Sequence, residues 1–272
     1  MNLPWGLPII LVTITSSFFS CEKETVLPEL DVYGHAGTTI YAEKWVYPAN
    51  TKESIIYALD ILDADGVEVD VQMTKDSVLV LYHDPYLDGV TKFSGCVANY
   101  NFSEIENAEV YNSKFKLITL ENALELCKAR NKKIYIDAKP YNYCASVDVM
   151  HATFNNALNL LLVDYPHSFK SNLTFNTRNQ YLLQALTDTV IQKSFETDNV
   201  VLGIEQINLG IAQELALNYK YLTDAALADL RNSEIDFTIF GVKTQKEIHA
   251  ALSMQPKKII TDNIAFTKKN SN

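Results

Sequence analysis

Short apolar or β-branched runs alternate with helical patterns along most of this chain. Runs rich in Val, Ile, Tyr and Thr are typical of strands, and they place eight strands at 31–35, 67–71, 133–137, 172–176, 200–204, 220–223, 236–242 and 258–262. Apolar residues recur at three- and four-residue spacing between them, which predicts helices at 51–65, 118–130, 150–164, 178–189, 209–218, 225–233 and 244–254. This alternation predicts an α/β fold, a parallel TIM (β/α)8 barrel.

An extra β-hairpin is predicted after the second strand, where the chain reads QMTKDSVLVLYHD. We expect Lys75 and Asp76 to form its two-residue turn. That register places Glu68 opposite His83, so Glu68, Asp70 and His83 would share one face. A shift of one residue would turn the histidine away from the carboxylates.

Composition and charge narrow the function classes. With 272 residues and 47% hydrophobic content, the chain is long enough for one large core, and we expect one barrel domain at 31–272. With a net charge of -10, the protein as a whole does not attract nucleic acid or anionic lipid. Binding of an anionic substrate would therefore need local positive charges. No feature of the sequence points to a protein partner.

The first twenty residues carry no charge and contain the apolar run LPIILVTI. This run suits a signal peptide at 1–20 and is too short to span a bilayer. Cys21 follows at once, as in a bacterial lipoprotein signal, with 21–30 as a lipid-anchored tether. We therefore expect an exported, membrane-anchored lipoprotein on the periplasmic or cell-surface face. The alternative is an uncleaved hydrophobic tail.

The other cysteines form no CxxC metal or redox motif. Cys127 lies in a helical pattern and is expected to be a small buried hydrophobe. Cys96 and Cys144 lie in predicted loops and could pair in an exported protein, although an odd number of cysteines forces no pairing.

Three acidic residues lie at or near the carboxyl ends of neighbouring predicted strands. Glu68 and Asp70 lie two residues apart on one side of the second strand, and Asp137 ends the third. The active site of a parallel barrel lies at this end of the strands. Like charges this close require a cation, protonation or water, and a hard ion such as Ca²⁺ or Mg²⁺ suits oxygen ligands. Lys139 shares a face with Asp137 and would place a positive charge beside this ion site. The alternative interpretation is that Asp137 and Lys139 form only a structural ion pair at the barrel mouth.

Two histidines, His35 and His83, end other strand segments. Isolated histidines usually have core or surface roles. A pair beside a predicted carboxylate cluster instead suggests one base and one acid.

Several motifs in fixed order resemble the glycerophosphodiester phosphodiesterase family. They read G-H-x-G, P-x-N-T, G-V-E-V-D-V-Q-M-T-K-D, H-D-P, I-T-L-E-N-A-L-E-L and I-D-A-K, and the late I-I-T-D fits the last strand. The match covers roughly residues 31 to 265. The resemblance implies a barrel phosphodiesterase with one divalent cation, Ca²⁺ or Mg²⁺. Glu68 and Asp70 match the metal-binding Glu-x-Asp, and Asp137 matches the third ligand, usually a glutamate.

The resemblance also assigns roles beyond the metal. His35 and His83 match the acid–base pair, and Lys139 matches a phosphate-facing lysine. Phe240 stands where the family usually has a tryptophan, and would keep an apolar substrate-facing wall.

Two alanines depart from the family pattern. Ala36 replaces the arginine of His-Arg-Gly, and Ala49 replaces the glutamate of Pro-Glu-Asn-Thr. Losing both leaves no unpaired charge, but it removes a bidentate phosphate clamp of the kind worth about 2–4 kcal/mol in a transition state.

Three interpretations follow. The chain hydrolyses glycerophosphodiesters or a related phospholipid-derived phosphodiester, with Lys139 and Lys44 as candidate phosphate contacts. Alternatively, it is a phospholipase that resembles the sphingomyelinase D type, whose members share Glu-x-Asp and Asp-x-Lys and lack His-Arg-Gly. The third interpretation is a catalytically impaired barrel lipoprotein that binds a ligand without turnover.

Overall fold

Eight parallel strands form a closed barrel in the computed structural model, which describes Met1 and residues 30–40, 46–111, 113–139, 144 and 147–271. The first strand pairs with both the second and the last, which closes the ring. The barrel strands are β1 (Asp31–Gly34), β2 (Gly66–Met73), β4 (Lys133–Ala138), β5 (Leu173–Thr177), β6 (Gln192–Glu196), β7 (Glu214–Asn218), β8 (Phe237–Val242) and β9 (Lys258–Thr261). The predicted TIM barrel is therefore confirmed.

Helices follow the strands, and most of them pack their apolar faces on the outside of the barrel. They are α1 (Lys52–Ile56), α2 (Phe102–Ile105), α3 (Leu120–Lys128), α4 (Val147–Leu162), α5 (His167–Lys170), α6 (Gln180–Ala185), α7 (Val200–Asn208), α8 (Asp224–Asn232), α9 (Gln245–Ser253) and α10 (Ile264–Asn270). A π-helical turn, Tyr57–Ile61, continues α1. Within the described ranges, none of these helices has the length and apolar character needed to cross a bilayer.

The predicted hairpin exists, but its predicted register was wrong. Strand β3 (Leu79–Leu81) runs antiparallel to β2 with Val71 opposite Leu81. The turn has three residues rather than two, because Ser77 adopts a positive φ of 65°. His83 nevertheless lines the same cavity as the carboxylates, since it lies beyond the end of β3, where strand alternation no longer sets its direction.

One predicted strand, at 200–204, is the start of helix α7. Its β-branched, apolar residues suit a strand, but the Asn199 side chain accepts a hydrogen bond from the Leu202 amide and starts a helix there. Asn199 is therefore the sequence feature that indicates a helix here, and the hydrophobic pattern alone does not reveal it.

Two strands were missed for different reasons. Strand β6 (Gln192–Glu196) carries polar residues into the barrel interior, so it shows no apolar run. Strand β7 (Glu214–Asn218) lies inside the stretch predicted as a helix at 209–218. The strand predicted at 220–223 overlaps a single 3₁₀ turn instead.

A buried ion pair lies inside the barrel at the amino-terminal ends of the strands. The Lys258 ammonium donates to Glu214 at 2.6 Å, Gln192 at 2.7 Å and Thr174 at 3.0 Å. Burial raises the pKa of the Glu214 carboxyl, and burial lowers the pKa of Lys258. Each charge therefore depends on the other, together with these neutral partners.

A second apolar cluster packs beside the barrel around the segment that follows β3. Its buried residues are Val80, Tyr82, Leu87, Val90, Val97, Ile105, Ala108, Val110 and Leu117. A disulfide joins Cys96 in this segment to Cys144 in the loop after β4, which realises the pairing that the sequence left open. Cys127 is buried and free, as predicted.

Replacing Lys258 with methionine should destabilise the barrel strongly. Lys258→Met leaves the buried Glu214 carboxylate without its cation, and breaking such a pair costs about 3–5 kcal/mol. Urea unfolding at neutral pH measures this loss, and the double variant with Glu214→Leu should recover most of it.

Lys257→Met is the matched control, because the neighbouring Lys257–Asp236 pair is about half exposed. It should change the free energy of unfolding by less than about 1 kcal/mol. Equal effects of the two lysine variants would contradict the structural role assigned to the buried pair.

Candidate active site

Three carboxylates meet at the carboxyl-terminal mouth of the barrel. Asp70 pairs in register with Asp137 across β2 and β4, and Glu68 lies two residues before Asp70 on the same strand. One oxygen atom from each carboxylate lies within 4.8 Å of the others. All three side chains are almost wholly buried. The adjacency predicted from strand ends therefore exists in space.

The loop after β1 holds Glu68 through its backbone. The Ala36 amide donates to Glu68 Oε2 at 2.7 Å, and the Gly37 amide donates to the Glu68 carbonyl at 3.1 Å. Both glycines of the motif are needed for this close approach. A Cβ on Gly34 would lie 1.9 Å from the Gly37 carbonyl oxygen, and one on Gly37 would lie 2.4 Å from Ser54 Oγ.

Asn50 holds the second carboxylate. Its Nδ2 donates to Asp70 Oδ2 at 2.8 Å, and its Oδ1 accepts from the Asp70 amide at 3.1 Å. Burial by itself raises the pKa of Asp70, but Lys139, His83 and the Asn50 hydrogen bond outweigh it and lower the pKa below its usual value. The sequence showed Asn50 only as part of a motif, and its pairing with Asp70 required the fold.

Lys139 supplies one cation to the cluster. Its ammonium lies 2.5 Å from Asp137 Oδ2 and 3.3 Å from Asp70 Oδ1. Burial and the charges of Asp70 and Asp137 nevertheless raise the pKa of Glu68 well above its usual value. Within the described part of the chain, one lysine against three carboxylates leaves excess negative charge, and this all-oxygen donor set fits a hard divalent cation.

His35 is oriented by a carboxylate that directly follows the last strand. Its Nδ1 lies 3.0 Å from Asp262 Oδ1, and the Asp262 side chain is almost fully buried. This contact leaves Nε2 as the ring nitrogen available for proton transfer. Asp262, from the I-I-T-D motif, was not predicted to have a role.

His83 has an equivalent partner, Asp84, at 2.8 Å from Nδ1. The Asp84 hydrogen bond raises the pKa of His83, and the Asp70 charge raises it further, against the effect of burial. This pair is more exposed than the His35 pair. The two histidines therefore share one arrangement in different surroundings.

Further polar residues at the mouth were missed in the sequence. The Asn176 amide group donates to Asp137 Oδ1 at 3.1 Å and contacts Glu196 Oε2 at 3.4 Å. Arg178 Nε donates to Glu196 Oε1 at 2.8 Å. Asn176 ends a strand that was predicted, whereas Glu196 ends one that was not.

A cavity of about 740 Å³ lies at this mouth of the barrel. Its walls include His35, Glu68, Asp70, His83, Asp137, Lys139, Asn176, Glu196 and Phe240. All seven predicted site residues therefore face one cavity. Ala36 and Ala49 are buried and do not line it. Lys44 lies outside the described residues.

The sequence profile of the glycerophosphoryl diester phosphodiesterase family matches residues 43–266. Because this match spans most of the chain, the protein belongs to that family.

Curated relatives match over shorter stretches. A glycerophosphodiester phosphodiesterase of Bacillus altitudinis is 33% identical over 106 residues, which cover 37% of this chain and 41% of the relative. Glycerophosphodiester phosphodiesterase 1 of Bos taurus is 28% identical over 166 residues, which cover 58% of this chain and 44% of the relative. The matched stretches span less than half of these relatives' lengths.

Solved structures show the same fold. A glycerophosphoryl diester phosphodiesterase from Silicibacter pomeroyi aligns with a TM-score of 0.75 and 17% identity, covering 88% of this chain and 92% of that one. An Oleispira antarctica phosphodiesterase in complex with the product sn-glycerol-3-phosphate aligns with a TM-score of 0.74 and 17% identity, covering 88% of this chain and 95% of that one.

Asp84→Asn should lower the pKa of His83, because it replaces the carboxylate that stabilises the imidazolium with a neutral amide. The protonated fraction of His83 should then fall at a lower pH than in the unaltered protein. Proton NMR titration of the metal-free protein measures this directly.

Asp88→Asn is the control, because Asp88 binds the Gly95 amide in the neighbouring loop. It should leave the His83 titration unchanged. An unchanged His83 pKa in Asp84→Asn would show that this pair does not set the charge of the histidine.

Proposed function

We propose that this protein is a metal-dependent phosphodiesterase that hydrolyses glycerophosphodiesters or a related phospholipid-derived phosphodiester. The observation that carries the proposal is the convergence of three buried carboxylates, one lysine and two carboxylate-oriented histidines on one cavity. Phosphodiester cleavage needs charge neutralisation, an oriented nucleophile and protonation of the leaving alkoxide.

Glu68, Asp70 and Asp137 would hold one divalent ion, Ca²⁺ or Mg²⁺. When bound, such an ion supplies positive charge that stabilises the phosphoryl oxygens. Lys139 keeps a positive charge near these oxygens, because Asp137 and Asp70 raise its pKa well above the usual value despite its burial. Phe240 forms an apolar part of the cavity wall.

The two histidines would divide the proton transfers. One takes the proton of the attacking oxygen as its bond to phosphorus forms. The other gives a proton to the leaving alkoxide as the opposite phosphorus–oxygen bond breaks. Asp262 and Asp84 hold the two rings through Nδ1, so each can act through Nε2.

A sphingomyelinase D-like activity is the second candidate. The observation that favours it is the Asp137-x-Lys139 pair with no arginine at position 36, the combination that the sequence shares with those phospholipases. Lysophospholipid substrates therefore belong in the assay beside glycerophosphodiesters.

Activity of the full chain should need a divalent ion and should fall at least about 100-fold in His35→Ala and in His83→Ala, the range expected for loss of an acid or base. The assay measures alcohol release from several phosphodiesters with Ca²⁺, Mg²⁺ or chelator. His249→Ala, on helix α9, is the matched control and should retain activity.

Ion-induced stabilisation without turnover on any substrate would instead favour the ligand-binding lipoprotein. Turnover that survives in both histidine variants would overturn the acid–base assignment.

We further propose that the protein is exported and anchored to a membrane by lipid on Cys21, which lies outside the described residues. The apolar segment and the cysteine that follows it support this. Cys21→Ser should abolish fatty-acid labelling in a bacterial host and move the protein to the soluble fraction. Continued labelling of Cys21→Ser would contradict lipidation at this residue.

A further inference from the structure

The polar rim of the cavity continues from Asp137 to Glu196 across two neighbouring strands. Asn176 pairs in register with Asp137, and its single amide group contacts both carboxylates. Glu196 therefore lies beside the three-carboxylate cluster but outside it, because the cluster contains Glu68, Asp70 and Asp137. Its position suits contact with a substrate group next to the phosphate.

Arg178 fixes the direction of Glu196. Its Nε donates to Glu196 Oε1 at 2.8 Å, and its terminal nitrogens donate to Asp198 at 2.9 and 3.3 Å. One guanidinium is thus shared by two carboxylates, which leaves the group with net negative charge. The Glu196 side chain is only 12% exposed, so water screens the charge of this carboxylate poorly.

Glu196 also lies between two cavities. It lines the main cavity and a second one of about 390 Å³, and Asp137 and Lys139 line both. A ligand with its phosphate near Lys139 can therefore extend its alcohol past Glu196. Among the residues that the structure describes, the Oε2 atom has only a long contact, 3.4 Å, with Asn176, and it can accept a stronger hydrogen bond.

We propose that Glu196 binds a primary ammonium group on the alcohol of the phosphodiester and so selects an aminoethanol head group over its trimethylated counterpart. This inference rests on the proposed function, because it takes the substrate to be a phosphodiester bound at this site. A primary ammonium donates hydrogen bonds to a carboxylate, whereas a quaternary ammonium has no N–H and its methyl groups hold the charge farther away.

The test compares binding of two intact diesters, glycerophosphoethanolamine and glycerophosphocholine, to the full-length His83→Ala variant with Mg²⁺ or Ca²⁺. Calorimetry should show the ethanolamine diester binding about ten-fold more tightly, which corresponds to about 1.4 kcal/mol. Adding Glu196→Gln should bring the two dissociation constants within about two-fold. Equal binding before that change, or no binding of either diester, would overturn the proposal.

Asp198→Asn is the matched control, since it removes the other partner of Arg178 and should preserve the preference. If Glu196 had a purely structural role, Glu196→Gln would weaken the binding of both diesters equally. This outcome would also overturn the proposal.

Turnover of glycerophosphoglycerol by the unaltered chain tests the proposed function separately. Turnover without any ethanolamine preference in binding would support the phosphodiesterase activity and contradict the proposed Glu196 subsite. An ethanolamine preference in binding, without turnover of any diester, would support the Glu196 subsite and contradict the proposed phosphodiesterase activity.

Discussion

The main physical constraint on the candidate site is the repulsion among three carboxylates that the barrel buries close together. The groups around them compensate for this repulsion. Glu68, Asp70 and Asp137 cannot all remain charged there without compensation, since burial and mutual repulsion both oppose it. Donors surround them: the Ala36 amide contacts Glu68, and Asn50 contacts Asp70. Lys139 contributes a full positive charge. The remaining deficit of positive charge is what makes a divalent cation the best-fitting partner.

The departures from the family motif leave the local fold intact, because the loop after β1 holds Glu68 and Asn50 through its backbone. Ala36 contributes its amide to Glu68 and its carbonyl to the Asn50 amide, and neither contact depends on the side chain at position 36. Ala49 is buried beside the same loop. The turn that holds the carboxylate therefore stays in place with alanine at both positions.

Sequence pattern predicted the barrel and the three-carboxylate cluster, because residues at parallel strand ends must meet at one rim. It missed β6 because Gln192 and Ser194 face a polar barrel interior, where the usual apolar signal is absent. Glu196 was lost with that strand. The pairing of His35 with Asp262 could not be predicted from spacing, because it joins residues 227 positions apart. The role of Asn50 likewise depends on a contact that only the closed barrel creates.

The most direct test of the account is calorimetric titration of the metal-free full chain with Ca²⁺ and Mg²⁺. We expect saturable binding of one ion per chain, loss of that binding in Glu68→Gln, and no change in Glu247→Gln, which alters a carboxylate of the same cavity outside the cluster. Absence of saturable binding, or equal affinity in Glu68→Gln and the unaltered chain, would contradict the assignment of the three carboxylates as the metal site.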